Sequence, residues 1–299
     1  MSIMKKLCAA LCVLGVLFAF AGCQKVPEGG SEPVDIAEKD PTTAILVVSF
    51  GTSYNDSREK TIGAVEKAIA KAYPEYDVRR AFTSQIIIDK LAERDNLQID
   101  NVTQALDRAA ADGIKTLIVQ PTHLMNGYEY TDLKEELDKY TGQFEAIKLG
   151  APLLTSDADF DAVVEAITAD TKDYDDGQTA IVFMGHGTEA DSNEVYAKMN
   201  EKLQAAGHHN YYVGTVEAKP DIDDVAWFVK MGGYKRVVLL PLMVVAGDHA
   251  NNDMAGNEED SWKSILSAQG YEVVPVLKGL GELPAIQQVY VSHIADALK

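Results

Sequence analysis

The chain repeats itself, and that repeat narrows its fold more than any other feature. Thr43-Ala-Ile and Phe50-Gly-Thr52 return as Thr179-Ala-Ile and His186-Gly-Thr188 at one offset of 136 (43 to 179, 52 to 188). Gly113-Ile-Lys-Thr-Leu-Ile-Val-Gln-Pro121 returns as Gly233-Tyr-Lys-Arg-Val-Val-Leu-Leu-Pro241 at an offset of 120, which also pairs Gly127 with Gly247. Within the first copy, short apolar runs at Thr43–Ser49, Tyr76–Phe82, Lys115–Pro121 and Phe144–Leu149 read as strands. Helical periods fall between them: Asn55, Asp56 and Ser57 as caps of a helix to Tyr73, then Ser84–Asp95, Val102–Asp112, a helix ending at Tyr140, and Ala158–Thr171. Such alternation is the pattern of a parallel sheet wrapped by helices. The expected fold is therefore α/β, with two similar doubly wound lobes, residues 42–155 and 156–299, each built on a parallel sheet.

In open sheets of this kind ligands bind at the carboxyl ends of the strands. Thr179-Ala-Ile-Val-Phe-Met-Gly-His-Gly-Thr188 is a buried-strand pattern that stops at a histidine held between two glycines. With no Cβ on either side, a flat ligand or the backbone can approach closely. Two further runs end in chemistry: Tyr211–Glu217 in a carboxylate, and Arg236–His249 in a second imidazole. His186, Glu217 and His249 converging on one crevice would suit a borderline divalent cation such as Co²⁺, Fe²⁺, Ni²⁺ or Zn²⁺.

The repeat separates function from scaffold. At the corresponding strand ends the first copy carries Phe50, roughly Phe82 (Tyr76 set against Tyr211) and Glu129. Where one copy tolerates phenylalanine twice, the imidazole and carboxylate of the other are not needed for folding. Blander roles stay open. His249 could start a helix, Glu217 could pair with Lys219, and Glu129 could be a first-turn acid favoured by the helix dipole. Ser49, Thr52 and Ser53 offer hydroxyls and amides for an acidic substituent, or serve as ordinary turn chemistry. His123, whose counterpart is Met243, reads as a packed histidine; His208 and His209 read as an exposed connection, and His293 as part of the closing helix.

The first residues read as a targeting segment. Lys5 and Lys6 precede an apolar stretch from Leu7 to Phe20, too short to span a bilayer comfortably, and Phe20-Ala-Gly-Cys23 resembles a lipobox with phenylalanine in place of its usual leucine. The expectation is a signal peptide over 1–22, lipidation of Cys23, a flexible tether over 23–41, and an exported protein held to a membrane by its lipid alone. Cys8, Cys12 and Cys23 are the only cysteines, so any metal in the folded part must be held by His, Asp or Glu. The formal net charge of −19 falls to −21 once Lys5 and Lys6 leave (25 basic against 46 acidic residues). That balance argues against nucleic acid as a partner, since phosphate binding needs a basic face. No glycine-rich phosphate cradle, nucleophile elbow or His-Glu-x-x-His pattern is present, so no nucleotide is expected.

Ser49-Phe-Gly-Thr-Ser-Tyr54, Gly185-His-Gly-Thr188, Thr215-Val-Glu217 and Ala246-Gly-Asp-His-Ala250, in this order and at these strand ends, resemble the anaerobic sirohydrochlorin cobaltochelatases, the class II chelatases of cobalamin synthesis. The resemblance covers residues 42–299. It implies a two-lobed chelatase-like fold with a tetrapyrrole cleft between the lobes, and insertion of Co²⁺ into sirohydrochlorin with release of two protons. It further implies His186, Glu217 and His249 as metal ligands and catalytic groups, and Ser49, Gly51, Thr52, Ser53, Tyr54 and Glu129 as the tetrapyrrole lining. Fe²⁺ and Ni²⁺ are the near alternatives for the metal. The signal and tether depart from the usual cytoplasmic form of the family. They keep a second reading in play, a non-catalytic surface lipoprotein that binds haem, another tetrapyrrole or metal for uptake. A homo-oligomer is compatible with either.

Overall fold

The computed structural model describes residues 39–299. The expected signal peptide, Cys23 and most of the tether lie outside those residues. Among the described residues no helix is long and apolar enough to cross a membrane.

Two four-stranded parallel sheets form the frame. The first runs β2-β1-β3-β4, from β1 (Thr43–Ser49), β2 (Asp77–Phe82), β3 (Thr116–Pro121) and β4 (Ala146–Leu149). The second repeats that order as β6-β5-β7-β8, from β5 (Thr179–Gly185), β6 (Tyr211–Thr215), β7 (Arg236–Pro241) and β8 (Glu272–Pro275). β1 and β5 are buried at every residue. Both sit centrally with helices on either face, which is why they read as unbroken apolar runs.

The helices of the first half are α1 (Asn55–Lys60), α2 (Ile62–Ala72), α3 (Gln85–Asp95), α4 (Val102–Ala111) and α5 (Tyr128–Asp138). Those of the second are α6 (Asp157–Asp170), α7 (Glu194–Ala205), α8 (Ile222–Gly232), α9 (Trp262–Ala268) and α10 (Pro284–Leu298). Where the sequence suggests one helix from Asn55 to Tyr73, the structure has two. Thr61 takes φ −108° and ψ −80° between them, and its hydroxyl donates to the Ser57 carbonyl at 2.5 Å. A threonine bonded back to the i−4 carbonyl competes with the helix ladder, which accounts for the bend. The expected caps of α1 do not act as such either, because Tyr54 occupies the N-cap with no side-chain bond.

One apolar core joins the halves. It contains Ile45, Val47 and Ile118 of the first sheet, Ile181, Phe183 and Leu240 of the second, and Ile286, Tyr290 and Ile294 of α10. The last helix also reaches the first half by hydrogen bonds. Tyr290 Oη donates to the Thr122 carbonyl at 3.0 Å, and His293 Nδ1 meets the Ala151 carbonyl at 3.0 Å while Nε2 meets Asp159 Oδ1 at 2.9 Å. Both sheets consequently present their carboxyl ends from a single packed body.

The register sharpens the repeat. Ser49 pairs with Phe82, and Gly185 pairs with Thr215. Beyond the strands, the Ser84 amide donates to the Phe50 carbonyl at 3.2 Å, as the Glu217 amide donates to that of His186 at 2.8 Å. The counterpart of Glu217 is therefore Ser84, and not Phe82 as the tyrosine alignment suggests. The offset between these outer strands is 133 throughout their pairing (78 to 211, 82 to 215) and continues past their ends (84 to 217). The inference from the repeat survives, since the first half still carries no carboxylate at that place.

Candidate metal centre

His186 is placed by the residues on either side of it. A Cβ at Gly185 would lie 2.1 Å from Tyr196 Cε1, so only glycine lets the Tyr196 ring pass under the strand end. Gly187 has φ +88°, and a Cβ there would lie 2.8 Å from the Ala218 amide. The glycines that the sequence suggested as room for a ligand make room for the protein itself. With the backbone fixed, His186 Nδ1 lies 2.8 Å from the Gly187 carbonyl. A carbonyl only accepts, so Nδ1 carries the proton and Nε2 keeps the free lone pair.

His249 reaches the same tautomer by another route. It precedes a π-helical turn, Ala250–Met254, and its Nδ1 lies 2.7 Å from Asp253 Oδ2. A carboxylate behind the imidazole fixes the tautomer and orients the ring, as behind many metal-binding histidines. Wide turns of this type recur at functional sites. In the sequence Asp253 is one of several acids that follow His249. Its spacing of four from His249 was the available signal.

Glu217 lies beyond β6, in a loop pinned by Asn193 Nδ2 donating to the Lys219 carbonyl at 2.9 Å. Its simplest alternative role fails, because Lys219 pairs instead with Asp221 at 2.6 Å and Asp224 at 3.0 Å. Glu217 Oε2 is 3.7 Å from His186 Nδ1, and the two side chains are 54% and 46% exposed.

The three side chains meet. One ligand atom from each of His186, Glu217 and His249 lies within 4.8 Å of the others, and the two imidazole centroids are 4.6 Å apart at an interplanar angle of 87°. Ligands in a closed tetrahedral shell with bonds of about 2.1 Å stand about 3.4 Å apart. A wider, partly exposed trio on one side of an ion is the open arrangement from which a cation can be passed on. Two neutral imidazoles and one carboxylate fit a borderline divalent metal better than Mg²⁺ or Ca²⁺, which prefer oxygen.

The loop Phe50–Tyr54 lies against the second half. Tyr54 Oη donates to Asp248 Oδ1 at 3.4 Å, next to His249. Ser57 Oγ accepts from the Ala246 amide at 3.0 Å, and a Cβ at Gly247 would lie 3.3 Å from Thr52 Oγ1. Ser49, Gly51, Thr52 and Ser53 are buried. Ser49 Oγ accepts from Thr122 Oγ1 at 2.7 Å, so its oxygen is engaged within the protein and its side chain is buried. Gly51, at φ +101°, has the Phe82 ring 2.6 Å from where its Cβ would be, so it is a packing glycine. Tyr54 is half-buried, while Glu129 is exposed in the first turn of α5. Phe50, the counterpart of His186, is 49% exposed, which offers an aromatic face at this edge.

His123 is half-buried with neither ring nitrogen partnered inside the protein. Burial pushes its pKa down to about 4, with the Glu129 carboxylate pulling weakly the other way. It is a neutral packed imidazole, as its alignment with Met243 suggests.

Comparison with known proteins agrees with this geometry. The family model described as cobalt chelatase (CbiK) matches residues 43–299. The sirohydrochlorin cobaltochelatase of Salmonella typhimurium is 41% identical over 255 residues, covering 85% of this chain and 96% of that protein. Sirohydrochlorin cobaltochelatase CbiKC of Nitratidesulfovibrio vulgaris is 32% identical over 256 residues, covering 85% and 90%. Among solved structures, SirB from Bacillus subtilis with Fe³⁺ superposes with a TM-score of 0.59 at 15% identity over 86% of this chain and 95% of its own, a likeness of fold. Placed beside two imidazoles and a carboxylate at the carboxyl edge of a duplicated parallel sheet, these matches show that the chain belongs to the CbiK cobalt chelatase family.

Proposed function

We infer that this protein is a sirohydrochlorin cobaltochelatase, taking Co²⁺ and sirohydrochlorin and returning the cobalt complex and two protons. The observation that carries the reading is the meeting of His186, Glu217 and His249 within 4.8 Å at one strand edge. Relatives named for that activity at 41% and 32% identity support it.

Metallation exchanges two pyrrole N–H bonds for two nitrogen–metal bonds, so a cation must be delivered to one face of the ring while two protons leave. With Nδ1 of each imidazole turned to a protein oxygen, Nε2 of His186 and of His249 is the nitrogen left to hold the cation or take a proton. Glu217 offsets charge: an anionic ligand lowers the cost of shedding water from a divalent ion. As ring nitrogens replace the side chains on the metal, the freed imidazoles become the nearest bases for the departing protons. Neither redox chemistry nor a nucleotide enters the balance. The donor set does not by itself separate Co²⁺ from Fe²⁺ or Ni²⁺. The cleft walls that we assign to the macrocycle are Tyr54, backed by the buried loop Ser49–Ser53, and Glu129.

The lipobox-like Phe20-Ala-Gly-Cys23 and the basic-then-apolar residues before it support an exported enzyme anchored through lipid on Cys23. Its substrates would then be met outside the cytoplasm.

The test is optical. Mixing the full chain with sirohydrochlorin and Co²⁺ should convert the free-base spectrum to that of the cobalt complex far faster than buffer alone. His186→Ala should reduce the rate at least about a hundredfold, the scale of a positioned acid–base group. A wild-type protein that binds both substrates but metallates no faster than buffer would make it a carrier.

A further inference from the structure

An unpaired guanidinium stands at the rim of the first sheet. Arg58 Nη1 and Arg94 Nη2 both donate to the same oxygen, Asn55 Oδ1, each at 2.8 Å. Two like charges meeting on one neutral amide is a costly arrangement unless something anionic offsets it. Arg94 has its own counter-charge in Asp95, at 2.8 Å and 2.6 Å, and also donates to the Ser53 carbonyl at 2.6 Å. Arg80, a third guanidinium nearby, is held by both oxygens of Glu66. Arg58 alone forms no ion pair within 4.0 Å among the described residues. Burial, then Arg80, weakens the hold of Arg58 on its own proton; Asp95 opposes this, Arg94 adds to it, and Glu59 opposes it again.

This is anomalous in a chain with 46 acidic residues against 27 basic. Asp95 and Glu59 act on Arg58 through space, but neither reaches it within ion-pairing distance. The location gives the anomaly a meaning. Asn55 follows Tyr54 directly, and Tyr54 touches Asp248 beside the metal ligand His249. α3 does not run back down the sheet as an ordinary crossover does. It stays over the carboxyl edge, since the chain returns after it to pair Asn101 with Phe82 at the end of β2. That excursion brings Arg94 over Ser53 and leaves Arg58 half-buried but reachable.

We propose that Arg58, braced by Arg94 through Asn55, is a carboxylate-binding subsite that receives an acidic side chain from the rim of the tetrapyrrole. The planar fork of a guanidinium matches a carboxylate with two parallel hydrogen bonds, and Nη1 fixed on Asn55 presents the remaining donors in a set direction. Sirohydrochlorin carries its acetate and propionate groups around the ring edge, so one such contact fixes the rotation of the ring over the metal ligands. The subsite rests on the chelatase reading for the identity of its ligand, but not for its chemistry.

The experiment uses the full chain, with Arg58→Gln and Arg58→Lys. For each, steady-state metallation is measured against both substrates, and binding of metal-free sirohydrochlorin is followed by its absorption. A charged hydrogen-bonded contact of this kind corresponds to roughly a 10- to 100-fold change. The expected result for Arg58→Gln is a rise of that size in the KM and Kd for sirohydrochlorin, with the KM for Co²⁺ and the melting temperature unchanged. Arg58→Lys, keeping charge without the fork, should fall between. Fully esterified sirohydrochlorin should bind wild type and Arg58→Gln alike. Unchanged sirohydrochlorin affinity in Arg58→Gln overturns the subsite while leaving the chelatase reading intact. Weakened binding in Arg58→Gln, in a protein whose wild type binds but does not metallate, upholds the subsite and overturns the chelatase. Absence of binding by the wild type removes both.

Discussion

At the scale of single residues, the pair His249–Asp253 decides how firmly the second imidazole is aimed. The 2.7 Å contact fixes a ring that is otherwise one-third exposed, with 32% of the side chain open to solvent. Asp253→Asn keeps the shape and removes the charge behind the ring. Co²⁺ affinity of the isolated protein, titrated by competition with a coloured chelator, should fall about 10- to 100-fold, the usual effect of losing the partner of a metal-bound histidine. Unaltered affinity would remove Asp253 from the site. His123 gives a pH signature of a different kind. Its pKa is about 4 in the fold against 6.5 for the free side chain, so between those values the unfolded chain binds a proton that the native one refuses. The penalty is absent above pH 6.5 and grows as the pH falls toward 4, reaching on the order of 3 kcal/mol. Urea unfolding of wild type and His123→Met should thus show the variant gaining on wild type by roughly 2–3 kcal/mol between pH 7 and pH 4.5. A gap that does not move with pH would mean that the imidazole is solvated.

At the scale of elements, what was legible in the chain depended on whether the signal was local or periodic. The repeated strands β1, β3, β5 and β7 are central, mostly apolar and buried but for the first residue of β3 and β7, so their runs and their common offsets stand out in the sequence. The three candidate metal side chains were legible because each follows an apolar run, His186 and His249 after central strands and Glu217 after the outer β6, and because the other copy bears Phe50 in place of His186. Outer strands are less buried and shorter: the run expected from Phe144 begins only at Ala146, and the alignment of β2 with β6 through their tyrosines misses by two residues. Nothing local announced the break at Thr61, since β-branched residues are common in helices and the competing bond to Ser57 forms only once the turn is made. Contacts between distant segments were invisible. Arg58 and Arg94 share Asn55 across 39 residues of sequence, and Ser57 reaches Ala246 across 189. The surroundings of the loop Ser49–Ser53 were invisible for the same reason, because Thr122 meets Ser49 and Gly247 lies beside Thr52 only once distant segments are laid together.

At the scale of the whole molecule, the duplicated sheets do not amount to two independent folding units. One core takes side chains from both sheets, and α10, the last element in the sequence, packs Tyr290 into it and bonds it to the end of β3. Losing either half would expose the apolar face of the other, so separate unfolding is disfavoured by the burial that both share. The chain carries its own reporters for this. Both tryptophans, Trp227 and Trp262, lie in the second half, whereas the helices seen by far-ultraviolet circular dichroism come from both. Tryptophan fluorescence and circular dichroism should therefore trace one coincident thermal transition. Tyr290→Ala removes a fully buried aromatic side chain at the joint, at a cost of about 3–5 kcal/mol, which in a body of this size lowers the melting temperature by roughly 10 °C. It should lower both signals together, although the tryptophans are in other helices. If the halves were autonomous, circular dichroism would show a second step that the tryptophans do not report. The candidate metal site in one half, and the tetrapyrrole wall proposed to come partly from the other, would then lack the common frame that holds them in register.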